Sequence, residues 1–259
     1  MTLPFYTPLG EDSYRATSAT AGPWDPAAQH GGPPSALVGR ALERCEHRGD
    51  TRLARVTVEI LGPVPVGDLR VRSRVARPGR RVELVEAVIE AGGRDVLRGT
   101  GWRVSAEPGR SAALPHPEAP PSLPETEAEF TFDGSEGFGY GRAVEWRFAA
   151  GGPDALGPAD VWTRLRGEVV AEEEPTGWQR VLAVADSGNG VSAELPLDRW
   201  LFINPELTVH LVRPPTGPWV CLQARTIVSD DGLGLAQTVV SDETGRIGAG
   251  AQALLVAPR

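Results

Sequence analysis

The chain has 259 residues, 41% of them apolar, which suits one large domain or two of ordinary size with a sizeable core. Its formal charge of -8 and the lack of any long basic run argue against a nucleic-acid partner, whose phosphates require clustered cations. All 26 basic residues are arginine, which excludes a Schiff-base lysine and the lysine of a phosphate-binding loop.

The first residues, Met1 to Tyr14, hold no basic segment followed by an apolar stretch, and no run approaches the length of a membrane span. A reduced, cytoplasmic protein is expected. His30-Gly31-Gly32-Pro33-Pro34 then precedes a segment with Leu37, Val38, Ala41, Leu42 and Cys45 on one face, the spacing of a buried helix started by proline. Runs of strand composition follow near Arg55 to Leu61, Asp68 to Ala76, Arg81 to Glu90 and Val96 to Ser105, with Gly or Pro signals between them. Glu107 to Glu129 carries six prolines and several acidic residues and reads as an extended connection. Gly137-Phe138-Gly139-Tyr140-Gly141 has no strand before it and reads as a turn, not a nucleotide loop. Extended pieces are expected over Ala143 to Phe148 and Ala159 to Gly167. Thr176-Gly177-Trp178-Gln179 has capping-box form and opens a short helix with Trp178, Val181, Leu182 and Ala185 at helical spacing. Asp186 falls at its C-terminal end, where the helix dipole disfavours negative charge, a property that suits a base. Strands are predicted near Phe202 to Arg213, Trp219 to Ser229, Gly234 to Ser241 and Gly248 to Val256.

The second series of elements repeats the first. Thr57-Val58-Glu59-Ile60-Leu61-Gly62-Pro63 returns as Thr208-Val209-His210-Leu211-Val212-Arg213-Pro214, three identities in seven, and each copy leads to a Gly-x-Gly, Gly99 to Gly101 and Gly248 to Gly250. One helix and an antiparallel meander, made twice, is α+β. The halves are 1–106 and 136–259, with a Pro-rich, acidic linker at 107–135. Cys45 and Cys221 read as small buried thiols whose spacing fits no metal site, with a single disulfide left open.

A helix wrapped by a curved antiparallel sheet and duplicated in one chain resembles the double hot-dog fold, and the chain is similar to the type II acyl-CoA thioesterases. The resemblance rests on His30-Gly31-Gly32-Pro33-Pro34-Ser35-Ala36-Leu37, on Phe202-Ile203-Asn204-Pro205-Glu206-Leu207-Thr208-Val209-His210-Leu211 leading to Arg213-Pro214, and on Gly245-Arg246-Ile247-Gly248-Ala249-Gly250-Ala251-Gln252. It implies hydrolysis of an acyl-CoA to free acid and CoA by an aspartate-activated water, with no metal and no cofactor. The family places an aspartate at the second helix, a small polar residue on the next strand and a glutamine on the last strand. These roles fall on Asp186, Asn204 and Gln252, all in the second half; the family more often has threonine or serine where Asn204 stands. Related single hot-dog enzymes polarise the carbonyl at a helix N-terminus, which implies substrate binding at His30, Gly31 and Gly32. Arg213 or Arg225 would meet the CoA phosphates. Double hot-dog chains associate further, so a dimer or a trimer of chains is expected.

Read from the residues alone, the site stays open. Asp186 in Asp186-Ser187-Gly188-Asn189-Gly190 also reads as an Asx turn, Asn204 as a strand-entry residue and Gln252 as an exposed strand amide. His30 also reads as a cap, His210 as a strand-face residue, and His47 and His116 as exposed. The absence of a Gly-x-Ser-x-Gly elbow argues against an α/β serine hydrolase. Two alternatives remain: a non-catalytic acyl or lipid binder, favoured by Asn204 in place of a hydroxyl, and a hot-dog enoyl-CoA hydratase or dehydratase, which Asn204-Pro205 and His210 match faintly.

Overall fold

Long stretches of alternating side chains form the strands, and two runs with apolar residues at helical spacing form the helices that the strands enclose. The computed structural model describes residues 3–46, 50–112, 114, 119–130 and 137–259, so His47 and His116 lie outside the described residues. The first half contains β1 (Tyr6–Gly10), β2 (Ser13–Ala16), α1 (Gly32–Arg44), β3 (Thr51–Ile60), β4 (Asp68–Arg77), β5 (Val82–Ala91) and β6 (Arg94–Ser105). The second contains α2 (Gly139–Ala143), β7 (Val144–Ala150), β8 (Ala159–Leu165), α3 (Gly177–Ala185), α4 (Gly188–Val191), β9 (Trp200–Ile203), β10 (Glu206–Leu211), β11 (Val220–Val228), β12 (Leu233–Asp242) and β13 (Gly245–Pro258). The glycine run at 137–141, read as a turn, opens the short helix α2.

The strands form one antiparallel sheet in the order β1-β2-β4-β5-β6-β3-β10-β13-β12-β11-β8-β7, with β9 beside β13. The order β4-β5-β6-β3 is mirrored by β11-β12-β13-β10 about the β3–β10 junction. There Thr57 stands opposite Thr208 with the two hydroxyls 3.0 Å apart, so the threonines that open the sequence repeat meet at its centre. Val58 pairs with Gly99 as Val209 pairs with Gly250. The glycine match read from the sequence is therefore out of step by two residues, and Gly101 corresponds to Gln252.

The run predicted as one strand from Phe202 to Arg213 is broken at Asn204-Pro205. Proline offers no N–H to the ladder. β9 and β10 then pair with different stretches of the same edge of β13, and the Glu206 carboxylate accepts from the Ala253 N–H at 2.8 Å.

Helix α1 lies against β3 to β6 and against α3. Leu37, Val38 and Leu42 are buried, and the helix end is capped by Arg103. That guanidinium donates to the carbonyls of Leu42, Cys45 and Glu46 and pairs with Glu83 at 3.1 Å in a fully buried setting. Helix α3 starts at Thr176, whose hydroxyl accepts from the Gln179 N–H at 3.2 Å. The Gln179 amide turns to Glu43 instead of completing a capping box. Because Thr176 also donates to Glu43 at 2.7 Å, the start of α3 meets the end of α1, and the helices run antiparallel.

Residues 119–130 of the Pro-rich connection lie along the second half. Trp162 Nε1 donates to the Pro121 carbonyl at 3.1 Å, Arg147 donates to Pro124 at 2.9 Å, and Phe130 is buried beside Trp146. Both cysteines are buried free thiols, and burial pushes the Cys221 thiol up to about 12. Among the described residues no helix is long and apolar enough to cross a membrane.

Candidate active site

Antiparallel packing brings the residue after α3, Asp186, to the start of α1. Its carboxylate is nearly enclosed, at 3% exposure. Oδ1 accepts from Asn204 Nδ2 at 2.8 Å, the main-chain carbonyl accepts from Gln252 Nε2 at 3.1 Å, and Oδ2 lies 3.3 Å from His30 Nδ1. Gly31 makes this approach feasible, since a Cβ there would sit 2.6 Å from Asp186 Oδ2. The carboxylate thus lies between the negative end of one helix and the positive end of another.

The structure brings Asp186, Asn204 and Gln252 together. Asn204 sits in the gap between β9 and β10 and lines a cavity, and its Oδ1 makes no hydrogen bond among the described residues. Gln252 is buried behind Asp186, off the cavity wall, with Oε1 accepting from the Asn189 N–H at 3.2 Å. It is not the exposed strand amide that the sequence allowed.

His30 stacks on Tyr140 with ring centroids 3.9 Å apart and planes 4° from parallel. Its Nδ1 accepts from the Gly32 N–H at 3.0 Å, which assigns the ring proton to Nε2. Burial holds His30 below its usual value despite the opposing pull of Asp186. The ring is therefore neutral at pH 7, and the contact with Asp186 is not an ion pair. Tyr140 donates to the Ala183 carbonyl at 2.8 Å, and burial pushes its hydroxyl far up.

The expected row of donors at the start of α1 narrows to one. The His30 N–H goes to Thr20, the Gly32 N–H goes to His30, Pro33 and Pro34 carry none, and Ser35 donates to the Gly31 carbonyl. The Gly31 N–H makes no hydrogen bond among the described residues, and Gly31 lines the cavity.

That cavity has a volume of about 540 Å³. Trp24, Phe130, Phe138 and Phe202 line its walls; Asp186, Ser187, His30 and Gly31 stand at the helix ends, Asn204 lies between β9 and β10, and Asp25, Gln29 and Asn189 are further polar lining groups. No arginine among the described residues lines it. Arg213 is paired with Asp242 at 2.9 Å instead. Burial opposes ionisation of Asp242, but Arg213 and nearby N–H groups outweigh it and hold the carboxylate well below its usual range. Arg225 on β11 and the exposed His210 on β10 are also off the cavity. Sequence reasoning missed Phe130, Phe138 and Tyr140, assigned to linker and turn; the aromatic clustering there was the available signal.

Two family models match the chain, an acyl-CoA thioesterase N-terminal domain over residues 20–104 and an acyl-CoA thioesterase C-terminal domain over residues 117–256. The chain belongs to the acyl-CoA thioesterase family. It is a thioester hydrolase, and solved structures similar to this thioesterase share its fold. A candidate thioesterase II of Thermobifida fusca superposes with a TM-score of 0.72 at 18% identity, over 98% of this chain and 97% of that one. A hot-dog protein of Alicyclobacillus acidocaldarius gives 0.69 at 15% identity over 97% and 95%. Acyl-CoA thioesterase II TesB2 of Mycobacterium marinum gives 0.65 at 15% over 98% and 95%. The thioesterase thus has the hot-dog fold, with one large antiparallel sheet and few helices. No curated protein matches it significantly in sequence.

Proposed function

We propose that this thioesterase hydrolyses a fatty or related acyl-CoA by water activated at Asp186. The observation that carries the reading is a nearly enclosed carboxylate in a largely apolar cavity, bonded to an amide that keeps its own oxygen free. Water held between Asp186 and Asn204 Oδ1 gives its proton to the carboxylate as its oxygen attacks the thioester carbon. The Gly31 N–H meets the developing oxyanion, and collapse breaks the C–S bond. Gln252 keeps the Asp186 loop in place. Asn204 supplies through its amide what a hydroxyl supplies elsewhere in the family.

We further propose that the fold is a double hot-dog, with repeats at 1–106 and 136–259 joined by 107–135, and that the second repeat carries the catalytic residues Asp186, Asn204 and Gln252. The mirrored strand order and the Thr57–Thr208 pairing support this reading. In the first repeat Gly101 stands where the second has Gln252, and Leu53 stands 151 residues before Asn204. A Cβ at Gly101 would come within 2.7 Å of Leu53 Cδ2, so apolar packing fills that position. We place the protein in the cytoplasm, in keeping with its free thiols, and as an oligomer of chains.

Release of free thiol from acyl-CoAs of graded length tests the function. Turnover with a length optimum set by the cavity is expected. Tight acyl-CoA binding without turnover would favour the acyl-binder reading.

A further inference from the structure

The mechanism above leaves a proton on Asp186 and a thiolate on CoA, and it uses His30 for neither. An alkanethiolate is a basic leaving group, so its departure is assisted by a proton donor. His30 lines the same cavity and is 14% exposed at its side chain. Its Nδ1 edge faces Asp186 Oδ2 and the Gly32 N–H. Its Nε2 makes no hydrogen bond among the described residues and is not among the buried side-chain atoms left without a partner, which leaves it open to the cavity. The ring is held face-on by Tyr140, and Phe138 packs beside it. Asp186 is the one carboxylate in contact with it among the described residues, and no cation faces it.

Resting on the hydrolase reading of this cavity, we propose that His30 relays the proton from Asp186 to the leaving sulfur. As the C–S bond breaks, its electron pair stays on sulfur, which takes the proton from His30 Nε2. The proton that Asp186 received from water passes from Oδ2 to His30 Nδ1 and displaces the Gly32 hydrogen bond. Asp186 returns to a carboxylate, and the imidazole stays neutral with its proton on the other nitrogen. Exchange with solvent through the open cavity restores the first tautomer. A neutral imidazole is a feeble acid by itself; it becomes competent here because one nitrogen gains a proton while the other gives one up. The 3.3 Å contact with Asp186 provides that coupling.

The test compares two thioesters of one acid, an N-acetylcysteamine ester with a basic alkyl thiolate and an S-phenyl ester whose thiolate needs no proton to leave. Each is hydrolysed by the native protein, by His30→Gln, which keeps an acceptor for Gly32, and by His30→Phe, which keeps the stack on Tyr140. The relay predicts that the alkyl-to-aryl ratio of kcat/KM falls by about 100-fold in both variants. Losses that leave the ratio unmoved, or no loss on the alkyl ester, would overturn the relay alone. Failure of the native protein to hydrolyse either ester would overturn the hydrolase reading and the relay with it.

Discussion

Asp186 is held by two amides and a neutral ring, and among the described residues no cation pairs with it, so taking up a proton breaks no ion pair there. Replacing it by asparagine keeps the shape and most of the hydrogen bonds and removes the basic oxygen. Asp186→Asn is expected to lower kcat by about 10²–10⁴-fold while circular dichroism and the melting temperature stay near native values. An unfolded variant would mark the residue as structural. His30 makes a separate prediction through its charge. Its folded value lies below the unfolded one, so the unfolded chain binds the extra proton in the interval between them. The stability tied to this residue is fully present above about pH 6.5, the unperturbed histidine value, and is lost as pH falls through the folded value. Melting temperature against pH should show this decline in the native protein, and the slope should shrink in His30→Phe. An unchanged slope would mean that His30 is not the group responsible. That Asp186, Asn204 and Gln252 come together was legible in the sequence through family resemblance. The His30 contact was not, because it joins residues 156 positions apart and depends on the antiparallel helix pairing.

Local chemistry made the helices readable. Thr176 before Gly177-Trp178-Gln179 announced α3, and the prolines after Gly32 announced α1. Thr176→Ala removes the bond from the Gln179 N–H and the one to Glu43, and should cost about 1 kcal/mol in urea unfolding with little change in kcat. A null effect on stability would show that tertiary packing, not the cap, fixes this helix start. The strands were legible to within a few residues wherever side chains alternate. The break between β9 and β10 was not, since Phe202 to Arg213 keeps its apolar pattern across Asn204-Pro205 and only the pairing with β13 reveals two strands. Helix α2 and residues 119–130 were hidden for another reason. Glycine or proline interrupts both stretches, and contacts with β7 and β8 hold them in place.

At the scale of the whole molecule, one short repeat in the sequence foretold the mirrored sheet, while its glycine match was misaligned by two residues. The exact equivalence depends on strand register, which a degenerate apolar pattern does not fix. The outer face across β9, β13, β12 and β11 exposes Ile203, Leu255, Leu233, Leu235 and Ile227, aligned by cross-strand pairing. A contiguous apolar face of this kind is a candidate surface for a second copy. Light scattering should give a mass above that of one chain for the native protein and a shift toward one chain for Ile227→Asp; a native monomer would refute the oligomer. The claim that binds these scales together is that Asp186 activates water and does not attack the thioester itself. Single turnover in ¹⁸O-water, with enzyme in excess over acyl-CoA, tests it most directly. The account predicts one ¹⁸O in the released acid and none in the Asp186 carboxylate. An unlabelled acid, with the label found on Asp186, would contradict it and make the carboxylate the nucleophile.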